Sequence, residues 1–319
     1  MAATSFSPIC NDTMVPPFEV LGLITAAFVI LKLAKWMKLW YSAPLDVRQL
    51  GRWALVTGST DGIGKAFAFA LASKGLSVVL VSRSPQKLQR VAEEVKQKHL
   101  VQTKVIAVDF KNNAEDYVPM IRREIEQLDI GVVVNNVGML YDYPEEFLAV
   151  AGGYQKIRDL ISVNITSMNA VTRLCLPPMV DRKCGAVINI GSLAGVSPGP
   201  LIAAYAATKA YVEKFSTTLH QEYARKGITV QCIHPGFVVS NMSRDLIPDN
   251  MPAFMAPEAD KFVRSCLGRL GISSVTAGYW AHDLIWALPP LILPESVRES
   301  QAHDVMVLAR TKALNALKH

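Results

Sequence analysis

The sequence predicts an α/β fold, a doubly wound parallel sheet in a single domain with helices on both faces. Two patterns between Gly51 and about Gly236 indicate this. Short runs of consecutive apolar residues recur, and their continuous character is typical of strands buried on both faces. Longer helical stretches separate the runs, as parallel pairing requires. No internal repeat or low-complexity linker interrupts the pattern.

The elements follow in order along this region. The first strand and the first helix flank a glycine-rich turn, and the next helix begins at Pro85, because proline is tolerated in the first turn of a helix. Further strands are expected where apolar runs resume, with helices in the gaps. The predicted strands are Trp53–Thr57, Ser77–Ser82, Lys104–Asp109, Gly131–Asn135, Ala186–Gly191 and Thr229–His234, and the bounded helices are Gly62–Lys74, Pro85–Lys98 and Glu258–Leu270.

The sequence changes character on both sides of this region. We predict an N-terminal stub and anchor at 1–45, a main domain at 46–275 and an apolar, proline-broken C-terminal extension at 276–319. Within the main domain, the segment at about 240–275 begins with several prolines and little periodicity, which suits a mobile lid over a substrate site. The apolar part of the extension, Tyr279–Val297, could pack on the domain, pack on a partner subunit or contact a membrane, and the sequence leaves these alternatives open.

The N-terminal segment predicts an uncleaved membrane anchor helix. Val20–Leu31 is uncharged and almost wholly apolar, and Lys32, Lys35 and Lys38 follow it. The uncharged stretch is shorter than the roughly 20 residues that a spanning helix prefers, but snorkelling lysines can extend it. A signal peptide would have its positive charge before the apolar stretch. The positive-inside rule then places the stub in the lumen and the main domain in the cytosol. The alternative is a helix that lies on a surface.

The net charge and the cysteine content limit the classes of partner and cofactor that we expect. The net charge is +6, and basic residues are interspersed with acidic ones, so nucleic acid is not an expected partner. A modest basic balance suits an anionic substrate, a membrane surface or ordinary solubility. The five cysteines are scattered, with no Cys-x-x-Cys and no Cys/His cluster. We therefore expect a reduced, cytosol-facing domain without a metal site.

A tyrosine and a lysine one helical turn apart form a candidate acid/base pair. Tyr205 and Lys209 stand at positions i and i+4, which lie on one face of a helix. A neighbouring cation favours the anionic form of a phenol, so we expect Lys209 to lower the pKa of Tyr205. Such a phenol would suit carbonyl or alcohol chemistry. By itself, the pair could equally be a core tyrosine beside a solvated lysine.

The glycine-rich turn predicts a dinucleotide site. It follows a predicted strand and opens a predicted helix, with the spacing Gly-x-x-x-Gly-x-Gly. The first glycine would allow a sharp turn, the second a close approach to a diphosphate, and the third tight helix packing. The helix N-terminus would then hold the anion. The residues assigned to the cofactor here are Gly58, Ser59, Thr60, Asp61, Gly62, Ile63 and Gly64.

Arg83 at the end of the second strand indicates which dinucleotide binds. Enzymes that use NAD usually place an acidic residue there, whereas this chain has Ser82-Arg83-Ser84. A guanidinium pairs well with a 2′-phosphate, so we predict NADP(H). Asp109, at the end of the third predicted strand, could accept a hydrogen bond from the adenine amine.

Several motifs follow one another along the chain at characteristic distances. They are Thr57-Gly58-x-x-x-Gly62-x-Gly64, Asn135-Asn136-Val137-Gly138, Asn164, Ser192, Tyr205-x-x-x-Lys209 and Pro235-Gly236. In this order and spacing, the motifs resemble the short-chain dehydrogenase/reductase family over about residues 51–240. The apolar N-terminal segment and details around the glycine turn are similar to the membrane-bound 17β-hydroxysteroid dehydrogenase branch, which includes very-long-chain 3-oxoacyl-CoA reductases.

The resemblance implies a role for each matching residue. Tyr205 would protonate a substrate carbonyl, and Ser192 would donate a hydrogen bond to the same oxygen. Lys209 would hold the nicotinamide ribose, and Asn164 would position a water that links Lys209 to solvent. Asn136 and Gly138 would lie along the adenosine. The residues implied beside the nicotinamide are Pro235, Gly236, Val238 and Ser240. Because Tyr205 and Lys209 fill the acid/base role, His220 and His234 are interpreted as structural.

The expected function is NADPH-dependent reduction of a lipid keto group by an enzyme of the endoplasmic reticulum membrane. A long-chain 3-oxoacyl-CoA is the leading substrate, and a 17-keto steroid is the alternative. A non-catalytic NADP(H)-binding scaffold is the alternative of another class. Expected partners are the lipid-like substrate and the membrane, with a homodimer or an association with other lipid-synthesis enzymes left open.

Overall fold

Seven strands form one parallel sheet in the order β3-β2-β1-β4-β5-β6-β7. The computed structural model describes residues 17–197, 199–248 and 251–316. The first part of the predicted N-terminal stub, residues 1–16, lies outside this range. The strands are β1 Trp53–Thr57, β2 Ser77–Ser82, β3 Thr103–Ala107, β4 Ile130–Asn135, β5 Gly185–Ile190, β6 Ile228–Ile233 and β7 Val275–Thr276.

Helices connect the strands and continue beyond them. The connection between α5 and α6 is a π-helical segment, Ser162–Thr166, and short 3₁₀ turns include Leu193–Gly195 and Arg244–Leu246. The helices are α1 Pro17–Tyr41, α2 Gly62–Ala72, α3 Pro85–His99, α4 Ala114–Ile125, α5 Gly153–Ile161, α6 Ser167–Asp181, α7 Ala203–Tyr223, α8 Ala259–Leu267, α9 Trp280–Ala287, α10 Pro289–Ile292 and α11 Glu295–Ala316.

Two apolar cores lie on opposite faces of the sheet, which confirms the predicted doubly wound α/β class. Successive residues of β1 alternate between them: Val56 packs in one core with Phe67 of α2, and Leu55 packs in the other with Ile121 of α4. The strands read as continuously apolar because both faces are covered. The strand order reverses between β1 and β4, so the crevice at their carboxyl ends is where such a sheet binds ligands.

The C-terminal extension packs on the main unit through α11. Met306 contacts the buried cluster formed by Tyr141, Leu160 and Ile202. Arg310 forms an ion pair of 2.7 Å with Glu145. Packing against the same chain is therefore observed for α11, which mostly follows the apolar Tyr279–Val297 segment.

The chain divides between Ser42 and Ala43, and α1 belongs to the N-terminal unit. Large apolar side chains of this helix are exposed, including Phe18, Leu23 and Ile30. Among the described residues, no helix combines the length and the apolarity needed to cross a membrane, so the expected spanning anchor is not found there.

Candidate active site

The glycine-rich turn between β1 and α2 is as tight as the sequence predicted. Gly58 has φ of +64°, and a Cβ there would lie 2.9 Å from Asn136 Nδ2. A Cβ on Gly64 would lie 2.2 Å from the carbonyl oxygen of Gly58. A Cβ on Gly62 would lie 2.9 Å from Ser240 Cβ. The turn therefore excludes side chains at all three positions and leaves main-chain atoms at its surface.

The N-terminus of α2 fits a diphosphate. Asp61 occupies the N-cap position, but its side chain makes no capping hydrogen bond. The first N–H groups of the helix are thus left to bind an anion. Hydrogen bonds tie the turn to the end of β2, from Thr60 Oγ1 to Ser82 Oγ at 3.0 Å and from Ser59 Oγ to the Val81 carbonyl at 3.4 Å.

Arg83 and Asp109 lie at the carboxyl ends of β2 and β3, on the edge of the sheet where the turn lies. Arg83 is exposed, and its guanidinium has no ion-pair partner within the described part of the chain. It can therefore bind the 2′-phosphate of NADP(H) without losing another contact. Asp109 Oδ1 accepts from the Lys111 main-chain N–H at 3.1 Å and leaves its second oxygen for a ligand.

Asn136 stabilises the glycine turn from the end of β4. Its Nδ2 donates to the carbonyls of Thr57 and Gly58, at 3.0 and 3.2 Å, and its main-chain N–H donates to Thr57 Oγ1 at 3.0 Å. Both side-chain hydrogens of Asn136 are used in this way, so this residue stabilises the conformation of the glycine turn.

Helix α7 presents Tyr205 and Lys209 toward the end of β5. Lys209 is buried, its Nζ lies 5.7 Å from the centre of the Tyr205 ring, and it donates to the Ile190 carbonyl at 2.9 Å. Ser192 follows β5 and caps a 3₁₀ turn by accepting from the Ala194 N–H at 3.2 Å, and its hydroxyl lowers the pKa of the Tyr205 phenol. The structure thus brings together the predicted acid, its cation and the second donor.

The protonation states differ from the sequence-based expectation. Burial raises the pKa of Tyr205, and the hydrogen bond from Ser192 offsets this only in part. Burial also lowers the pKa of Lys209 to about 8. The expected lowering of the Tyr205 pKa by Lys209 is therefore wrong for the protein alone, because Lys209 Nζ is turned to Ile190. A protonated phenol is nevertheless the form that donates a proton in a reduction.

Asn164 lies in the π-helical segment between α5 and α6. Its Oδ1 accepts from the Met139 N–H at 2.8 Å, and its Nδ2 donates to the Met139 carbonyl and to Thr208 Oγ1, both at 3.0 Å. Both amide hydrogens of the side chain are therefore used within the protein. π-helical turns of this kind are frequent at functional sites.

Gly138 lies at the catalytic end of the crevice. A Cβ built there would be 3.5 Å from Lys209 Nζ and 3.7 Å from Asn164 Oδ1. Gly138 therefore faces Lys209, the group expected to hold the nicotinamide ribose, and its contact with the adenosine stays a prediction.

The segment after β6 runs from the catalytic residues to the glycine turn. The Pro235 carbonyl accepts from the Leu193 N–H at 3.0 Å. The Gly236 N–H donates to His282 Nδ1 at 3.2 Å, and Val238 is buried in the core. Ser240 then reaches Gly62. These residues therefore run from Ser192 to the glycine turn, and their position beside the nicotinamide stays a prediction.

His282 and Glu213 were not predicted to contribute to this region, and His234 was interpreted only as structural. His282 of α9 accepts from Gly236 and donates from Nε2 to the Met255 carbonyl at 3.1 Å, so its ring is neutral. Burial lowers the pKa of His282 accordingly. His234 and Glu213 form an ion pair below Ser192. Neither histidine belongs to a motif, and their partners are distant in sequence, so no local signal indicated them.

Comparison with known proteins gives a consistent picture. The family model described as short chain dehydrogenase matches residues 52–251. The very-long-chain 3-oxoacyl-CoA reductase of Bos taurus is 42% identical over 83% of this chain and 85% of its own. The inactive hydroxysteroid dehydrogenase-like protein 1 of Homo sapiens is 41% identical over 75% of this chain and 71% of its own.

The solved structures that the fold resembles include a short-chain dehydrogenase from Sphingobium yanoikuyae in complex with NADPH. It has a TM-score of 0.61 and 27% sequence identity, over 82% of this chain and 95% of that one.

Proposed function

The chain belongs to the short-chain dehydrogenase family, and on that basis we propose that it reduces the keto group of a long-chain 3-oxoacyl-CoA with NADPH. The observation that supports this most directly is the Tyr205 phenol, which burial keeps protonated and which lies near Ser192 and the buried Lys209. A relative that shares more than two thirds of its length with this chain carries the name of such a reductase.

The mechanism follows from the positions of these side chains. When bound, NADPH would supply the hydride. Tyr205 donates its proton to the carbonyl oxygen as negative charge develops there, and the Ser192 hydroxyl donates a second hydrogen bond to the same oxygen. Lys209 holds the nicotinamide ribose hydroxyls and provides the cation next to the phenolate that forms. Asn164 positions a water that links Lys209 to solvent, and through it Tyr205 regains the proton.

Arg83 and the N-terminus of α2 bind the cofactor in this proposal. The guanidinium pairs with the 2′-phosphate, and the open N–H groups after Asp61 take the diphosphate. The segment at 240–275 and the neighbouring α11 cover the substrate, because α11 packs against the Arg244–Leu246 turn and the Tyr141 cluster.

A non-catalytic scaffold is the second candidate, favoured by the 41% identity to a relative named inactive. The experiment is NADPH oxidation by membranes that contain the protein. Substrates are 3-oxoacyl-CoAs of increasing chain length and a panel of 17-keto steroids, with Tyr205→Phe as the control. We expect turnover of the long-chain thioesters and none in the variant. Preference for steroids would reassign the substrate, and equal rates in the variant would refute the mechanism.

We also propose that α1 attaches the protein to the endoplasmic reticulum membrane, with the main unit on the cytosolic side. The exposed apolar side chains of α1 and the three lysines in its second half support this. Protease added to sealed microsomes should digest the main unit. Protection from the protease would reverse the orientation, and a protein that washes off with salt would exclude attachment through an apolar surface.

A further inference from the structure

A buried histidine lies directly beneath the proposed hydrogen-bond donor Ser192. His234 is fully buried at the end of β6. Its Nε2 lies 2.9 Å from Glu213 Oε2, and its Nδ1 lies 3.0 Å from the Ser192 carbonyl oxygen and 3.3 Å from the Ser192 main-chain nitrogen. Both nitrogens of the ring are thus engaged, one with a carboxylate and the other with the main chain of Ser192.

The protonation state of this ring decides which atom of Ser192 it binds. Nε2 donates to Glu213 in either state. If Nδ1 also carries a proton, it donates to the Ser192 carbonyl; if it does not, it accepts from the Ser192 N–H. Burial lowers the pKa of His234, but hydrogen bonds to Cys232 and Glu213 outweigh this effect and raise the pKa to about 9. The imidazolium, bound to the carbonyl, is therefore the form at neutral pH.

The buried ring of His234 is closely packed by its neighbours. A Cβ on Gly191 would lie 2.6 Å from His234 Nδ1, and the Trp286 ring packs edge-on with the centroids 5.8 Å apart. Cys232 Sγ lies 3.6 Å from Nε2. Glu213 stands one helical turn after Lys209 on α7, so the groups that face the ring include the carboxylate, the thiol and, beyond them, the Lys209 ammonium. Because the His234 ring is held by its neighbours, it can in turn hold the main chain of Ser192 in place.

We propose that the His234–Glu213 pair is a positioning element of the active site. It holds the main chain at Ser192 and thereby directs the Ser192 hydroxyl at the Tyr205 phenol. Neither residue touches the substrate. The catalytic role of the pair rests on the proposed function, but the effect of Ser192 on the pKa of Tyr205 can be measured without a substrate.

The first test is a double-mutant cycle read by the titration of Tyr205. The tyrosinate absorbance of each variant is compared with that of the same variant carrying Tyr205→Phe, which isolates one of the nine tyrosines. Ser192→Ala should raise the pKa of Tyr205, because a stabilising donor is lost. His234→Ala should raise it to a similar extent, and the double variant no further. Glu213→Gln, at a side chain that is 32% exposed, repeats the cycle with little risk to folding.

The second readout is the rate of carbonyl reduction. His234→Ala and Glu213→Gln should each lower kcat by about tenfold, the effect of one misplaced hydrogen bond, while the Kd for NADPH stays constant. In the Ser192→Ala background, both substitutions should leave kcat unchanged. His220→Ala is the matched control, since His220 binds the Val230 N–H of the same strand and does not contact Ser192; it should alter neither readout.

Additive effects in the cycle, or an unchanged Tyr205 titration in both His234→Ala and Glu213→Gln, would overturn the inference. A wild-type protein that reduces no carbonyl substrate would refute the proposed function instead, and the titration cycle would still decide the role of His234.

Discussion

The Lys209 ammonium donates a hydrogen bond to the carbonyl of Ile190, the last residue of β5, at 2.9 Å. It therefore links the middle of α7 to the strand that leads into Ser192. This buried cation is costly for the fold, because burial lowers the pKa of Lys209 to about 8. Residues kept at such a cost are often functional.

We predict that Lys209→Met lowers kcat by about 100-fold or more and yet stabilises the protein without cofactor. A pKa lowered from 10.5 to about 8 corresponds to about 3 kcal/mol, and the lost hydrogen bond offsets about 1 kcal/mol. The cost is complete below pH 8 and disappears between pH 8 and 10.5, where the folded protein loses the proton first. Denaturant unfolding at pH 7 and pH 10 measures it.

The matched control is Lys214→Met, an exposed lysine on the same helix, which should change neither kcat nor stability. A destabilised Lys209→Met protein at pH 7 would show that the ammonium is a net structural contact.

Tyr205→Phe should lower kcat by about 100- to 10,000-fold, because the variant lacks the proton donor. The Kd for NADPH should stay within about twofold, since the ring and its packing remain. Tyr211→Phe is the control: that tyrosine accepts from Asn169 Nδ2 at 2.9 Å on the exposed side of α7. Stopped-flow reduction with fluorescence titration of NADPH separates the two constants. Retained turnover in Tyr205→Phe would assign the acid to another group.

Arg83→Asp should raise the KM for NADPH by about 10- to 100-fold, the value of a charge-assisted hydrogen bond. The KM for NADH should hold steady or fall, because a carboxylate can bind a ribose 2′-hydroxyl. Arg90→Asp, also exposed and on α3, controls for the general change of charge. An unchanged preference between the two cofactors would mean that the 2′-phosphate binds elsewhere.

Arg310→Ala should release α11 from the loop that carries Glu145. The Glu145 side chain is 9% exposed, and the ion pair is 2.7 Å long. We expect the KM for the long-chain substrate to rise several-fold and proteolysis within α11 to accelerate, while the KM for NADPH does not change. Asp304→Ala on the same helix is 73% exposed and should behave as wild type. Equal proteolysis rates would show that Met306 packing alone holds the helix.

The sheet could be predicted because burial on both faces leaves a continuous apolar pattern. Predicted and observed bounds agree for Trp53–Thr57 and Ser77–Ser82, and the other predicted strands differ by one or two residues at their ends. β7 was missed because Val275–Thr276 is too short to form a pattern. The π-helical segment around Asn164 was missed because it depends on tertiary contacts with Met139 and Thr208.

The candidate site could be predicted where the local geometry of the main chain demands particular residues at a particular spacing. The glycine turn needs its glycines for geometric reasons, and the pair on α7 needs its spacing. The states of these groups were not predictable, because the pKa of Tyr205 depends on burial and on where Lys209 Nζ points. The ion pair between His234 and Glu213 joins α7 to the end of β6, and only the fold brings the two together.

The ion pair between Glu145 and Arg310 spans 165 positions of the chain. During synthesis the N-terminal part of a domain emerges and folds first, and β1 to β4 with the glycine turn are complete by Asn136. The glycine turn, which is the proposed binding site of the cofactor phosphates, can therefore fold long before α11 is synthesised. A product truncated before Glu295 would still contain the glycine turn, Tyr205 and its neighbours, but it would lack α11, the helix that we propose covers the substrate.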